Sequence, residues 1–198
     1  MIPRHINTRL IYQGHVIRLI TEELSYGGRR LVRETVQHPG AVVILPVLSD
    51  NRIVFVRQYR HAVRRYLLEL PAGTRDHKGE SPATTARREL EEETGWVAKR
   101  FKRLVTFYAA PGVLSEQMIL YLATGLRHTK ARPEPDECVE PVLLSLPQAL
   151  AKLRSGHICD AKTIIGVLLL ARPLLHPKRR GARDSRLALD NRLNYRVK

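Results

Sequence analysis

A short helix with clearly marked ends is the feature that most constrains the fold of this chain. Ser81 followed by Pro82 predicts a helix start, because a serine hydroxyl can accept a hydrogen bond from the first turn and proline is tolerated at the first helical position. Gly95 predicts the end of the helix, since glycine readily adopts the left-handed conformation found there. Apolar residues recur between these ends at helical spacing, namely Ala83, Ala86 and Leu90.

Three glutamates on this helix form a pattern that indicates a metal site. Glu89, Glu92 and Glu93 are spaced i, i+3 and i+4, so their side chains share one face of the helix. Carboxylates at this spacing repel one another by on the order of a few tenths of a kcal/mol per exposed pair. A divalent cation relieves the repulsion, and oxygen ligands suit Mg²⁺ or Mn²⁺ better than zinc. The alternative interpretation is an acidic helix face exposed to solvent.

The composition predicts a basic globular protein. The chain has 198 residues and a formal net charge of +15, and its hydrophobic content of 43% excludes global disorder. Its longest uncharged apolar run, from Ile164 to Ala171, is much shorter than the ~20 residues of a membrane-spanning helix. Cys138 and Cys159 form no disulfide framework and the N-terminal sequence has no apolar leader, so we expect a cytoplasmic protein. The positive charge makes nucleic acid a candidate partner.

Part of the positive charge lies in the C-terminal tail. Residues 178–198 contain eight basic and two acidic residues, and Pro177 separates them from the last apolar helical stretch. We interpret this tail either as a solubilising extension or as an arm that binds nucleic acid such as RNA.

Strand and helix signals divide the chain into three parts. Residues 1–38 contain three short strand signals separated by turn residues, which predicts a small antiparallel β subdomain. Residues 39–176 mix strand and helix signals, which predicts a single α/β body, and residues 177–198 form the basic tail. The other expected elements of the body are strands at 41–48, 53–59, 103–109, 117–123 and 139–144, and helices at 145–153 and 160–170.

The stretch from Gly73 to Trp96 resembles the signature of the Nudix hydrolases. That signature reads Gly, five residues, Glu, seven residues, then Arg-Glu-apolar-any-Glu-Glu-any-Gly-apolar. The one departure is that six residues rather than five separate Gly73 from Glu80, which indicates one extra residue in the loop before the helix. The matching residues are Glu80, Arg88, Glu89, Leu90, Glu92, Glu93, Gly95 and Trp96.

Further segments resemble the bacterial ADP-ribose pyrophosphatases of this family, and they are the sequence VRQYR at 56–60, LELPAG at 68–73, and Ala110-Pro111-Gly112 with Ser115-Glu116. The resemblance implies an α/β/α sandwich with a mixed sheet, and a homodimer whose N-terminal strands cross to the partner. It also implies hydrolysis of ADP-ribose to AMP and ribose 5-phosphate with two or three Mg²⁺ or Mn²⁺ ions per site. Nucleotide sugars and the 5′ ends of RNA are alternative substrates, and a non-catalytic RNA-binding module is an alternative class.

The same resemblance implies roles for individual residues. Glu89, Glu92 and Glu93, with the carbonyl of Ala72, would hold the metal ions, and Arg88 would orient them by pairing with Glu80. A general base would come from an acidic loop, which in this chain is the segment at 134–137, with Glu137 preferred over Glu134. Glu69 is interpreted as a structural partner. The residues expected to contact substrate are Arg60, Glu116 and, from the partner subunit's N-terminal strands, Arg33.

Overall fold

The computed structural model describes residues 2–129 and 139–175, with side chains described as far as residue 172. The general-base candidates Glu134 and Glu137 and the basic tail at 177–198 therefore lie outside the described residues. Within the two described ranges, no helix is long and apolar enough to cross a bilayer.

The first three strands form a separate antiparallel sheet, as the sequence predicted. The strands pair in chain order and comprise β1 (Arg4–Gln13), β2 (Arg18–Tyr26) and β3 (Arg29–Gln37). They are longer than expected, because every residue of β1 is exposed and a strand without a buried face has no apolar alternation to reveal it. The sheet is joined to the body through Val36, whose amide donates to the Val113 carbonyl at 2.8 Å and whose carbonyl accepts from the Ser115 amide at 3.0 Å.

A mixed sheet of seven strands forms the centre of the molecule. Its strands are β4 (Ala41–Val47), β5 (Arg52–Arg60), β6 (Arg65–Glu69), β7 (Ala72–Thr74), β8 (Trp96–Tyr108), β9 (Gln117–His128) and β10 (Val139–Ser145). The main order is β10-β5-β4-β9-β8, with β6 paired to β5 and β7 paired to β4. Only the β4–β9 pair is parallel among these strands, which makes the sheet mixed, as expected.

Two parts of this sheet were not predicted from the sequence. Strand β8 begins at Trp96 rather than near residue 103, because its first half carries exposed basic residues such as Lys99 and Arg100 that hide the strand pattern. Exposed basic residues are common on edge strands, where they discourage pairing with other chains. The short strands β6 and β7 have too few residues for a detectable period.

Helices cover both faces of the mixed sheet. Helix α1 (Pro82–Thr94) packs its Leu90 against Val42 and Ile44 of β4, whereas α2 (Leu146–Arg154) and α3 (Ala161–Leu175) pack on the cluster that contains Val43 and Leu45. Alternate residues of β4 thus point into opposite apolar layers, as expected for a central strand buried on both sides. The predicted α/β/α sandwich is confirmed.

The predicted ends of α1 are also confirmed. The hydroxyl of Ser81 accepts a hydrogen bond from the Thr84 amide at 3.2 Å, and Pro82 occupies the first turn. Gly95 has a φ of 70° and its amide donates to the Glu91 carbonyl, which closes the helix. These ends fix which residues of α1 face the sheet.

A split in the sheet positions the candidate site. Strands β4 and β5 pair only at Val47 and Ile53 and then separate, and β6 and β7 fill the gap that opens between them. The Pro71 carbonyl, between β6 and β7, accepts a hydrogen bond from the Ile44 amide at 2.8 Å. The end of β5 and the junction of β6 with β7 therefore lie together beside α1.

Candidate metal and substrate site

Arg88 holds the carboxylates of the candidate site together. Its Nη1 lies 2.8 Å from Glu92 Oε2 and 2.9 Å from Glu89 Oε1, and its Nε lies 3.4 Å from Glu80 Oε1. Glu80 also accepts a hydrogen bond from Thr85 Oγ1 at 2.9 Å, which fixes this loop carboxylate to α1. Partial burial favours the neutral form of Arg88, but the hydrogen bond with Glu80 and the charges of Glu89 and Glu92 outweigh burial and raise the pKa of the guanidinium.

The junction of β6 and β7 is in direct contact with the buried glutamates of α1. The Ala72 amide donates a hydrogen bond to Glu93 Oε2 at 3.1 Å, and Glu93 is almost completely buried. A Cβ on Gly73 would overlap the carboxyl group of Glu89, so only glycine lets the backbone come this close to the helix. The structure therefore places the chain at Ala72 and Gly73 directly against Glu93 and Glu89, and the metal-binding role expected for these residues stays a prediction.

A cavity of about 230 Å³ opens on these groups. The side chain of Gln58 lines it, and its Oε1 is buried without a hydrogen-bond partner among the described residues. An unpartnered buried oxygen favours a ligand or cation at this place, because such an atom is costly to leave unsatisfied. The cavity is lined by Gln58, Arg60, Ala72, Gly73, Thr74, Asp76, His77, Arg88, Glu89 and Glu92.

The donor set suits a hard divalent cation. Glu89 and Glu92 both contact the Arg88 guanidinium, and Glu93 accepts a hydrogen bond from the Ala72 amide, so these side chains offer the oxygen ligands that such a cation prefers. Within the described ranges, no group of three or more acidic, histidine or cysteine side chains has the arrangement of a metal site. The positive charge of Arg88 offsets the repulsion between the neighbouring carboxylates of Glu89 and Glu92.

A second cavity, of about 210 Å³, lies next to the first and shares Arg60 and residues 72–74 with it. Glu116 lines this second cavity, and its Oε1 is 3.7 Å from His38 Nδ1. Two of the three residues expected to contact substrate, Arg60 and Glu116, thus face one connected space. The remaining lining residues are Ala41, Met118 and Lys162.

Arg60 is held by a buried carboxylate. Its Nε and Nη2 donate to the two oxygens of Glu69 at 3.0 and 2.7 Å, and Glu69 is only 1% exposed. Lys162 also donates to Glu69, and its Nζ is 3.1 Å from Asp160 Oδ1. Burial alone would raise the pKa of Glu69, but the hydrogen bond from Arg60 and the charge of Lys162 lower it below its ordinary value. The structural role expected for Glu69 therefore has a defined geometry.

Lys162, like Gln58, is a residue of this site that the sequence analysis missed. It lies in the first turn of α3, two residues after the helix-capping Asp160, and it is 6% exposed. The helix dipole disfavours a cation at this end of a helix. A lysine in the first turn was therefore the available signal, because such a lysine needs a carboxylate partner elsewhere in the fold.

A third cavity, of about 490 Å³, lies between the N-terminal sheet and the loop after β7. It shares Asp76 with the cavity above the carboxylates, so the two spaces adjoin. Arg33 does not line any of the three cavities described here; its Nη1 donates to the carbonyl of Val32. Within one chain, the structure does not bring this predicted substrate contact to the site.

Comparisons with known proteins agree with this geometry. The model of the NUDIX domain matches residues 37–164. A methanol dehydrogenase activator of Bacillus methanolicus is 39% identical over 168 residues, which cover 83% of this chain and 90% of the relative. An ADP-ribose pyrophosphatase of Bacillus subtilis (strain 168) is 39% identical over 163 residues, which cover 81% of this chain and 88% of the relative. A crystal structure of an ADP compounds hydrolase has the same fold, with a TM-score of 0.77, 24% identity, and coverage of 89% of this chain and 96% of that one.

The pKa of Glu69 predicts how the stability of the protein depends on pH. Because this pKa is lowered in the folded state, the ionised Glu69 carboxylate contributes in full to the free energy of unfolding above about pH 4.3. That contribution is lost as the pH falls through the lower pKa that Glu69 has in the folded protein. We expect Glu69→Gln to be less stable than wild type at neutral pH, by roughly 3 kcal/mol, since it removes the carboxylate shared by the buried Lys162 and the partly exposed Arg60, while Lys162 keeps its contact with Asp160.

Denaturant unfolding between neutral and acidic pH measures this difference, which should shrink as the pH falls. Glu140→Gln is the matched control: Glu140 forms an exposed ion pair with Arg57 at 3.5 Å, and its loss should cost at most about 1 kcal/mol. A gap between wild type and Glu69→Gln that stays constant with pH would contradict the assignment.

Proposed function

The chain belongs to the NUDIX domain family, and we propose that it hydrolyses the diphosphate of ADP-ribose, with water, to AMP and ribose 5-phosphate. The observation that carries this proposal is the position of the α1 carboxylates beside Arg60, between adjoining cavities. Relatives named ADP-ribose pyrophosphatase, at 37–39% identity, support the same substrate.

A divalent metal is general for this family. For this chain we propose Mg²⁺ or Mn²⁺, two or three ions per site, held by Glu89, Glu92, Glu93 and the Ala72 carbonyl. When bound, such ions polarise phosphate oxygens and lower the pKa of water. The chain's own contribution is to orient the carboxylates, which Arg88 does through its contacts with Glu89 and Glu92 and with the loop carboxylate Glu80.

The arrangement of cavities suits a substrate with two halves joined by a diphosphate. The cavity of about 230 Å³ adjoins the one of about 490 Å³ through Asp76 and the one of about 210 Å³ through residues 72–74. A diphosphate placed over α1 would lie beside the guanidinium of Arg60, and its two ends would extend in opposite directions. Arginine suits this contact because its planar fork matches phosphate oxygens.

Proton removal from the attacking water needs a base. Glu137, or Glu134 as the substitute, is proposed for this role from the acidic segment at 134–137, which lies outside the described residues.

We also propose a cytoplasmic location, because a composition with only two cysteines is typical of a reducing compartment.

Substitution of the α1 glutamates tests the metal assignment. We expect Glu92→Gln and Glu93→Gln to abolish metal-dependent turnover, because each amide removes a negative charge that a cation needs. The fold should survive, since glutamine keeps the oxygen that accepts the Ala72 amide in the case of Glu93. The matched control is Glu91→Gln on the same helix, outside the cavity lining. Steady-state assays with Mg²⁺ and circular dichroism measure both effects, and wild-type activity in either variant would refute the assignment.

A substrate panel tests the choice of ADP-ribose. We expect kcat/KM for ADP-ribose to exceed that for ADP-glucose, GDP-mannose and 5′-triphosphorylated RNA, because the relatives named ADP-ribose pyrophosphatase are 37–39% identical to this chain, whereas a relative named GDP-mannose pyrophosphatase is 28% identical. RNA is included because of the net charge of +15 and the exposed basic residues of β8, among them Lys99 and Arg100. Preference for the RNA or for a nucleotide sugar would replace ADP-ribose as the substrate.

A homodimer is proposed as the working form, supported by the exposed apolar surface of the N-terminal sheet. Leu10 on one face of the sheet and Tyr12 and Val32 on the other are 54%, 57% and 61% exposed, which is unusual for a stable isolated sheet. Pairing of two such sheets would bury this surface and could bring Arg33 to the partner's diphosphate.

We expect Leu10→Glu to produce monomers, because it places a charge in the surface to be buried. Sedimentation measures the assembly, and turnover should fall in the monomer if Arg33 acts across the interface. As a control, Lys99→Glu alters an exposed residue of β8 and should leave the assembly unchanged. A monomeric wild-type protein would contradict the dimer.

A further inference from the structure

A cluster of charged side chains around the buried Glu69 brings together two strands and a helix. Its other members are Arg60, Lys162 and Asp160. Arg60 ends β5, Glu69 ends β6, and Lys162 lies in the first turn of α3. Glu69 accepts hydrogen bonds from both cations, and Lys162 also contacts Asp160. The cluster stands outside the carboxylates of α1, yet Arg60 and Lys162 both line the second cavity.

Helix α3 is fixed to the site by its first turn. The Leu70 amide, next to Glu69, donates to Thr163 Oγ1 at 2.8 Å, and Thr163 donates in turn to Asp160 Oδ2 at 2.6 Å. Further along the helix, a Cβ on Gly166 would overlap the side chain of Leu70. Lys162 therefore cannot move away from Glu69 without moving the chain between β6 and β7.

The charges of the cluster have a consequence for Arg60. Without Lys162, Arg60 would stand beside two carboxylates, Glu69 and Asp160, and these three side chains would carry a net negative charge. Lys162 contacts both carboxylates and makes the group of four side chains neutral, which favours an anionic ligand at Arg60. Lys162 also restrains the Glu69 carboxylate, whose two oxygens set the orientation of the Arg60 fork.

We propose that Lys162 is a positioning residue for substrate binding: by sharing the Glu69 carboxylate with Arg60, it orients the guanidinium towards the diphosphate and offsets the negative charge of the carboxylates beside it. This inference rests on the proposed function, since it takes Arg60 as a substrate contact. Lys162 acts through Glu69 and Arg60 and takes no part in the chemical step.

Steady-state kinetics with ADP-ribose and Mg²⁺ separate this role from a merely structural one. Lys162→Met should raise KM about tenfold while kcat stays within about threefold, and Lys162→Arg should restore most of the affinity. A loss of folded protein would lower kcat and leave KM unchanged, so the split between the two constants is decisive. Lys99→Met, which removes an exposed lysine of β8, is the matched control and should change neither constant.

Two double variants test the pathway of the effect. Arg60→Ala with Lys162→Met should have the KM of Arg60→Ala alone, because the lysine acts through the arginine. Glu69→Gln with Lys162→Met should match Glu69→Gln, and this pair keeps the test usable if Lys162→Met alone does not fold. The proposal would be overturned if the KM increases of the two single variants multiplied in either double variant. An unchanged KM in folded Lys162→Met would also overturn it.

Binding measurements distinguish this inference from the proposed function. A wild-type protein that does not hydrolyse ADP-ribose would refute the function, and calorimetry of ADP-ribose binding in metal-free buffer would then test Lys162 alone. Lys162→Met should weaken that binding about tenfold. Equal affinity in the two proteins would overturn the role of Lys162, and absence of binding to wild type would overturn both proposals.

Discussion

The site depends on the pairing of buried or crowded carboxylates with arginine. Arg88 contacts both Glu89 and Glu92 and offsets the repulsion between these neighbouring carboxylates, and Glu69 can be ionised in the interior because Arg60 and Lys162 share it. In each case a guanidinium offsets the desolvation of an acid and fixes its orientation. The strands and helices around the site place these few charges at the right distances.

The two charge groups have different partners in the fold. Arg88 and its glutamates lie on one helix and need only the neighbouring loop, so a local pattern of residues specifies them. Arg60, Glu69 and Lys162 come from β5, β6 and α3, which meet only because β4 and β5 separate and α3 packs over the gap. One group is therefore encoded by helical spacing, and the other by the topology of the sheet.

This difference explains what the sequence could predict. Helix α1, with both its ends and its three glutamates, was predictable because capping residues and helical spacing act within a few positions of each other. The α/β/α layers and the separate N-terminal sheet followed from the family resemblance and the turn signals. The pairing of Lys162 with Glu69 was not predictable, because it joins residues 93 positions apart. The full length of β8 was missed because exposed Lys99 and Arg100 obscure its pattern.

The loop between β7 and α1 is anchored at both ends and not between them. The Arg75 amide donates to the Gly40 carbonyl at 3.0 Å, and Glu80 is held by Thr85 and Arg88, whereas residues 76–79 are exposed. The exposed loop can accommodate an additional residue in that interval without displacing Arg75 or Glu80. The six-residue spacing from Gly73 to Glu80 is then a permitted variation in length, and Asp76 lies in it between two cavities. A change in the length of this interval would therefore alter the lining of both cavities at Asp76 while the position of α1 stays the same.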